Sequence, residues 1–504
     1  MNKSQETINL IKEAQSNDIA KSFSAPGNAT SGLAEYNLEP VAKLVYPVHT
    51  PIRNSIPRVK TVGGIQATWR AITSVKNATF GAGVPEGRRG QVIQNTTKEY
   101  VASFKSFGND NFVTEEADMA AEGFADLKAI AVKTNLEALM IAEEQTDYAG
   151  NSTMALGQTP TPTLSASSTG GTFGTGTFLV TAVALTLKGY QQLAGLNNGN
   201  TGEEFIQDQA VLNSRFTVAT ELNHTYTVNG GVAKYSSPAS IALTGATNVI
   251  NAVVSPVIGA VAYAWFVGVS GQQVLHSLST INSVVLTSPS NSTFNLTNLV
   301  NDDCSRDELV YDGLLTQILQ PGSGSYVKIM PTGVAGVGST LTSDGAGGIN
   351  EIDQALYTFW TKTKLSPDFM FVSAAMLKQI TSLSIKNNGA PLVRLNGELD
   401  NSKDLVVGLA VSSYMNKITG SIIKIVVHPN AIPGSIMFYS SKISYPLSGI
   451  TSPIRKLVQR DYYQVEWPKT SRQYEFGVYF RGVLQNYFPP AHGIIMNINE
   501  NATV

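Results

Sequence analysis

The sequence is short of charge, of cysteine and of histidine. Only 14% of its 504 residues are charged, 35 Lys and Arg against 37 Asp and Glu, where an ordinary soluble protein carries roughly 25%. A net charge of −2 leaves no overall basic field, which argues against a free-standing nucleic-acid binder. The single cysteine, Cys304, excludes an intrachain disulfide and any zinc site built on several thiolates. It lies in NDDCSRDE, read as a solvated acidic cluster that raises the thiol pKa and makes a poor nucleophile. The histidines, His49, His224, His276, His428 and His492, form no HxxxH or HExxH pattern, and the Gly-rich stretches GAGVPEG, GTGTF and GVAGVGST lack the register of a phosphate or dinucleotide loop. No catalytic residue, cofactor, metal or enzymatic activity is therefore expected.

Gly (44 residues), Ser, Thr and Asn take the place of charge, while the apolar share stays ordinary at 42%. Polar but uncharged surface suits contact between subunits, because a buried unpaired charge costs far more than a buried, paired hydroxyl or amide. The length is about three times the ~150 residues of a typical domain, so two or more domains are expected. The leading segment MNKSQETINLIKEAQSND carries Glu6, Lys12 and Glu13, which argues against a secretory signal and for a cytosolic product. The uncharged stretch Val249 to Val269 is long enough to span a bilayer. Its alternation of Tyr263, Trp265 and Val267 with Ala262 and Ala264, and its Ser255-Pro256 and Gly259 interruptions, read as strands instead.

Along the chain, residues 1–60 read as an arm: a short amphipathic helix, then a run broken by prolines 40, 47, 51 and 57, where no helix can persist. Residues 61–112 read as a long β-hairpin, IQATWRAITSV paired with KEYVASFKSF, its loop tipped by Glu86, Arg88 and Arg89. Tyr100, Ala102 and Phe104 share one face. Such an isolated two-stranded loop is marginal in water and calls for a partner to cover it. Thr114 to Asp147 reads as one rod-like helix of about 50 Å, with Thr114 as N-cap and Phe124, Leu127, Leu136 and Leu139 on its apolar face. Residues 160–289 change texture. A low-complexity entry, TPTPTLSASSTGGTFGTG, leads into short alternating strands of immunoglobulin type, with Tyr263 and Trp265 in the core. Mixed α/β texture then returns over 290–430, including a helix NEIDQALYTFWTK with Ile352, Leu356 and Trp360 on one face, and 431–504 closes with a long strand from Tyr474 to Gln485.

This order, carried by the Pro-rich arm leading into PRVKTVGGIQATWRAITSV, by the helix TEEADMAAEGFADLKAIAVKTNLEALMIAEEQ and by the tail SPIRKLVQRDYYQVEWPKTSRQYEFGVYFRGVLQNY, resembles the major capsid protein of tailed bacteriophages. The resemblance implies an α+β, Hong-Kong-ninety-seven-like shell fold with five parts. These are an N-arm (1–60), an extended hairpin loop (61–112), the spine helix of a peripheral domain (113–159), an axial domain (290–430) and peripheral closing strands (431–504). The remainder, 160–289, looks like the immunoglobulin-like domains inserted in some phage capsid proteins. The resemblance further implies hexamers and pentamers tiling an icosahedral head around double-stranded DNA. No sequence-specific DNA contact and no membrane are implied. Trp69, Glu86, Arg88, Arg89, Tyr100 and Phe104 would then be subunit-interface residues of the hairpin. A separate scaffold protein is expected, since only about 40 residues precede the arm proper, along with a portal and decoration proteins. The expected setting is the virion, made in a host bacterial cytoplasm. Two other readings remain at this point: an encapsulin-type compartment that shares the fold, and, in a different class, a surface adhesin or carbohydrate-binding β-protein.

Overall fold

The computed structural model describes residues 49–77, 83–90, 92–122, 126–192, 212–219, 225–386, 411–445 and 449–499. The expected helix near residue 8, most of the arm and Phe124 lie outside them. The described chain is α+β, with four separate sheets of three or more strands and two free-standing strand pairs.

The first sheet has four strands in the order Arg58–Lys60, Ile454–Glu466, Gln473–Asn486, Lys105–Thr114. The first pair is parallel and the others antiparallel. Alternation in the last two long strands places Val458, Val478 and Phe480 on one face, where they meet Leu136 and Leu139 of a helix, Leu127–Ala149. The single rod expected from Thr114 is in fact two helices, Glu115–Ala120 and Leu127–Ala149. Thr114 caps the first as expected, accepting from the Ala117 amide. Asp126, in extended conformation, starts the second by accepting from the Ala129 amide at 3.0 Å. The sequence carries both signals for the break, a mid-helix Gly123 and a strong N-cap. The 23-residue helix is about 35 Å long rather than 50. At its far end the chain doubles back so tightly that a Cβ on Gly313 would sit 2.3 Å from the Thr146 carbonyl oxygen.

A six-stranded sheet runs Tyr326–Ile329, Gly493–Met496, Ile436–Tyr439, Phe369–Val372, Ile422–Val427, Ser413–Met415. Helices Asn350–Thr363 and Ala374–Lys386 cover one face through Ile352, Leu356, Phe359, Met376 and Ile380. Trp360 was expected on that stripe but is 39% exposed, and Phe359 fills the place. The other face packs on Tyr148, Leu314 and Ile52. Because Ile436–Tyr439 and Gly493–Met496 lie inside this sheet, the expected division at residue 430 does not separate two bodies.

Residues 160–289 form two further sheets. One is Ser283–Leu286, Val249–Val253, Thr163–Ser167, and the other is Val274–Ser279, Ala262–Gly268, Gly176–Leu185, Ala239–Leu243. All their pairings are antiparallel. The sheets face each other across Trp265, Tyr263, Ala182, Ile250 and Leu286. The supposed low-complexity entry is partly a strand: Thr163–Ser167 pairs with Val249–Val253, and small hydroxyl residues tolerate an edge position whose side chains face water. The apolar run from Val249 is two strands, and among the described residues no helix is long and apolar enough to cross a membrane.

Ala262–Gly268 is buried on both faces. Tyr263, Trp265 and Val267 enter the inter-sheet core. Ala262, Ala264 and Phe266 face a second cluster with Leu212, Val232 and Leu299. Residues past 289 therefore belong to the packing of this unit, and Cys304 exchanges backbone hydrogen bonds with Gly231 and Val232. With no water on either face, Ala264→Leu should destabilise the chain by about 1–3 kcal/mol through overpacking. Urea denaturation of the variant checks this, and a neutral result would mean that the second face is open.

Candidate assembly surfaces

The hairpin leaves the body as strands Gln66–Asn77 and Ile93–Ser103, which pair with each other and, among the described residues, with no other strand. Twelve residues in a strand reach about 40 Å. A register shift between Ile72 and Ser74 adds local twist. Its base is fixed to the chain's own core. Trp69 stacks on Tyr100 with ring centroids 5.8 Å apart. The Trp69 indole Nε1–H donates to the Asn486 carbonyl at 2.9 Å, and the Phe104 amide donates to Ile65 O. Trp69 and Phe104 are buried in one cluster with Tyr311 and Leu484, and Tyr100 packs against it. Three of the six expected interface residues thus anchor the arm within their own subunit. Phe104 also separates two strands, since Lys105–Thr114 belongs to the four-stranded sheet.

Beyond the base the hairpin is bare. Ile72 is 63%, Val92 82% and Val101 56% exposed. The tip turns where the Arg88 amide donates to Pro85 O, and Glu86, Arg88 and Arg89 are all exposed. These three, with Ile72, Val92 and Val101, lie on the exposed outer length of the arm. Leu127 and Leu136 are half-buried and Leu139 buried, on the long helix. Tyr263 and Trp265 lie in the core of the β unit.

What sequence reading missed is a buried charge cluster beneath the arm. Lys456, 1% exposed, donates to Glu143 and, at 2.6 Å, to Asp147. Glu143 also accepts from Arg58 at 2.6 Å, from Arg53 at 3.0 Å and from the Tyr462 hydroxyl. Asp147 accepts from the Tyr311 hydroxyl at 2.7 Å. Glu144 takes the backbone amides of Ile52 and Arg53 at 2.9 and 2.7 Å. His428 Nδ1 accepts from the Asn430 amide, so its Nε2–H donates to Glu144 at 2.6 Å. Burial works against Glu143, but Lys456 and Arg58 outweigh it and hold its carboxyl below the usual range. Burial dominates at Asp147, opposed by Lys456 and reinforced by Glu143, and pushes it up to about 6. A signal was present in the sequence: Glu143, Glu144 and Asp147 end a helix with no basic residue in its last turn, against the preference of the helix dipole. Such carboxylates need partners from elsewhere in the chain.

Cys304 is not solvated as expected but fully buried, with an Arg215 nitrogen 3.7 Å from its sulfur. Burial first, then Asp302 and Asp303, push the thiol up against the pull of Arg215.

No family model and no curated relative matches the chain. Solved structures similar to it include the capsid of the Myoviridae phage XM1, at 9% identity over 94% of this chain and 100% of that one, with a TM-score of 0.41. The capsid of a native GTA particle is similar at 6% identity over 95% and 100%, TM-score 0.39. So is the holo-SrpI encapsulin of Synechococcus elongatus PCC 7942, at 9% identity over 92% and 95%, TM-score 0.35.

Replacing Lys456 by Met takes the cation from buried Asp147, leaving it the Tyr311 hydroxyl, and one of three cations from Glu143, and should cost about 3–5 kcal/mol in urea denaturation. The pH dependence of Asp147 has the opposite sign to that of an ordinary paired carboxylate. The folded chain keeps this proton to about pH 6, whereas the unfolded chain releases it near ~3.9. Its contribution to stability is therefore full below about pH 4 and declines towards about pH 6. The melting temperature of Asp147→Asn, relative to the native chain, should rise between about pH 4 and 7, and a constant difference would contradict the assignment.

Proposed function

We propose that the chain is a structural shell subunit, a capsid protein that assembles with copies of itself into hexamers and pentamers of a closed icosahedral head. The observation that carries this is the hairpin: an arm of about 40 Å, rigidly rooted by Trp69 and Phe104, whose outer length exposes aliphatic residues and an arginine-bearing tip. Two strands alone are marginal in water, and exposed aliphatics on such an arm are best explained by a second copy lying against them. The low charge of the whole chain fits a molecule with contacts on many sides.

In this reading the four-stranded sheet with the long helix forms the outer wall of each subunit and the six-stranded sheet approaches the capsomer axis. The β unit, of immunoglobulin-like kind, is an insert. The head encloses double-stranded DNA without reading its sequence, assembles with a separate scaffold protein, and carries a portal at one vertex. The chain is made in the bacterial host and ends in the virion.

Electron microscopy of the full chain expressed together with a scaffold protein should show capsomer rings or closed shells, and a strictly monomeric protein under those conditions would refute the reading. Nuclease-resistant double-stranded DNA inside native particles separates a head from an enzyme-storing compartment. Removing Gly83 to Gly90 should leave a folded subunit with an unchanged melting temperature that forms no shells; normal shells from that variant would rule out the role given to the arm.

A further inference from the structure

We draw no further inference here: the strongest candidate, the outward stripe of Ile130, Thr134, Ala138 and Ile141 along the long helix Leu127–Ala149, joins none of the apolar clusters among the described residues, and nothing in the structure shows what covers it.

Discussion

The structure depends on six charges that could not survive singly where they are. Glu143, Glu144 and Asp147 lie on the inward side of the long helix, and Arg53, Arg58 and Lys456 approach from two other segments. Any one of them alone in that interior would cost several kcal/mol. Together the formal charges cancel, and the remaining lone pairs are taken by Tyr311, Tyr462, His428 and backbone amides. Such a network adds little net energy over an apolar core of the same shape. What it adds is direction, because a carboxylate accepts hydrogen bonds only from groups in particular positions.

That direction fixes four parts of the chain relative to one another. The segment 51–60 is held by Glu143 and Glu144, the four-stranded sheet by Lys456, the turn before Leu314 by Tyr311, and the six-stranded sheet by His428. Lys456 sits opposite Leu484 in the ladder whose last residues, Ile454 and Asn486, are partners. Asn486 receives the Trp69 indole at the root of the hairpin. The same two strands therefore carry both the charge cluster and the hairpin root. A long arm can place its tip reproducibly only if its root does not rock, and a directional buried network near the root supplies that stiffness better than interchangeable aliphatic contacts.

The sequence was legible where local pattern and final environment agree. The alternation of Tyr474 to Gln485 became the strand Gln473–Asn486. The stripe of Ile352 and Leu356 became the helix Asn350–Thr363. The helix has one wet and one dry side, and so does the strand as far as Arg481 before both its faces become buried; a periodic pattern records the first situation. Reading failed where the partner lies far along the chain. Thr163–Ser167 has linker composition and is a strand because Val249–Val253 pairs with it. Glu143 and Asp147 look like a solvated helix face until Lys456, more than 300 residues away, is placed beside them. Trp69 and Phe104 looked like contact surface because nothing local shows that the hairpin's root is sunk in its own core.

The scarcity of charge in residues 160–289, 7 charged residues of 130, has the same kind of explanation. A sandwich with one solvated sheet face would place charge on every second residue of that face. Here Ala262–Gly268 and the second half of Gly176–Leu185 are dry on both sides, so Val183, Ala264 and Phe266 occupy positions that would otherwise suit Lys or Glu. The unit is also pinned to the rest of the chain at two ends. The Asn282 backbone amide donates to Asn497 Oδ1, and Asn497 Nδ2 donates to Asn282 Oδ1 and to Met330 O, while Lys188 pairs with Asp307 at 2.5 Å. Burial within the chain thus accounts for the neutrality of the two central strands, whereas the edge strand Thr163–Ser167 is neutral because its hydroxyl side chains meet water without charge.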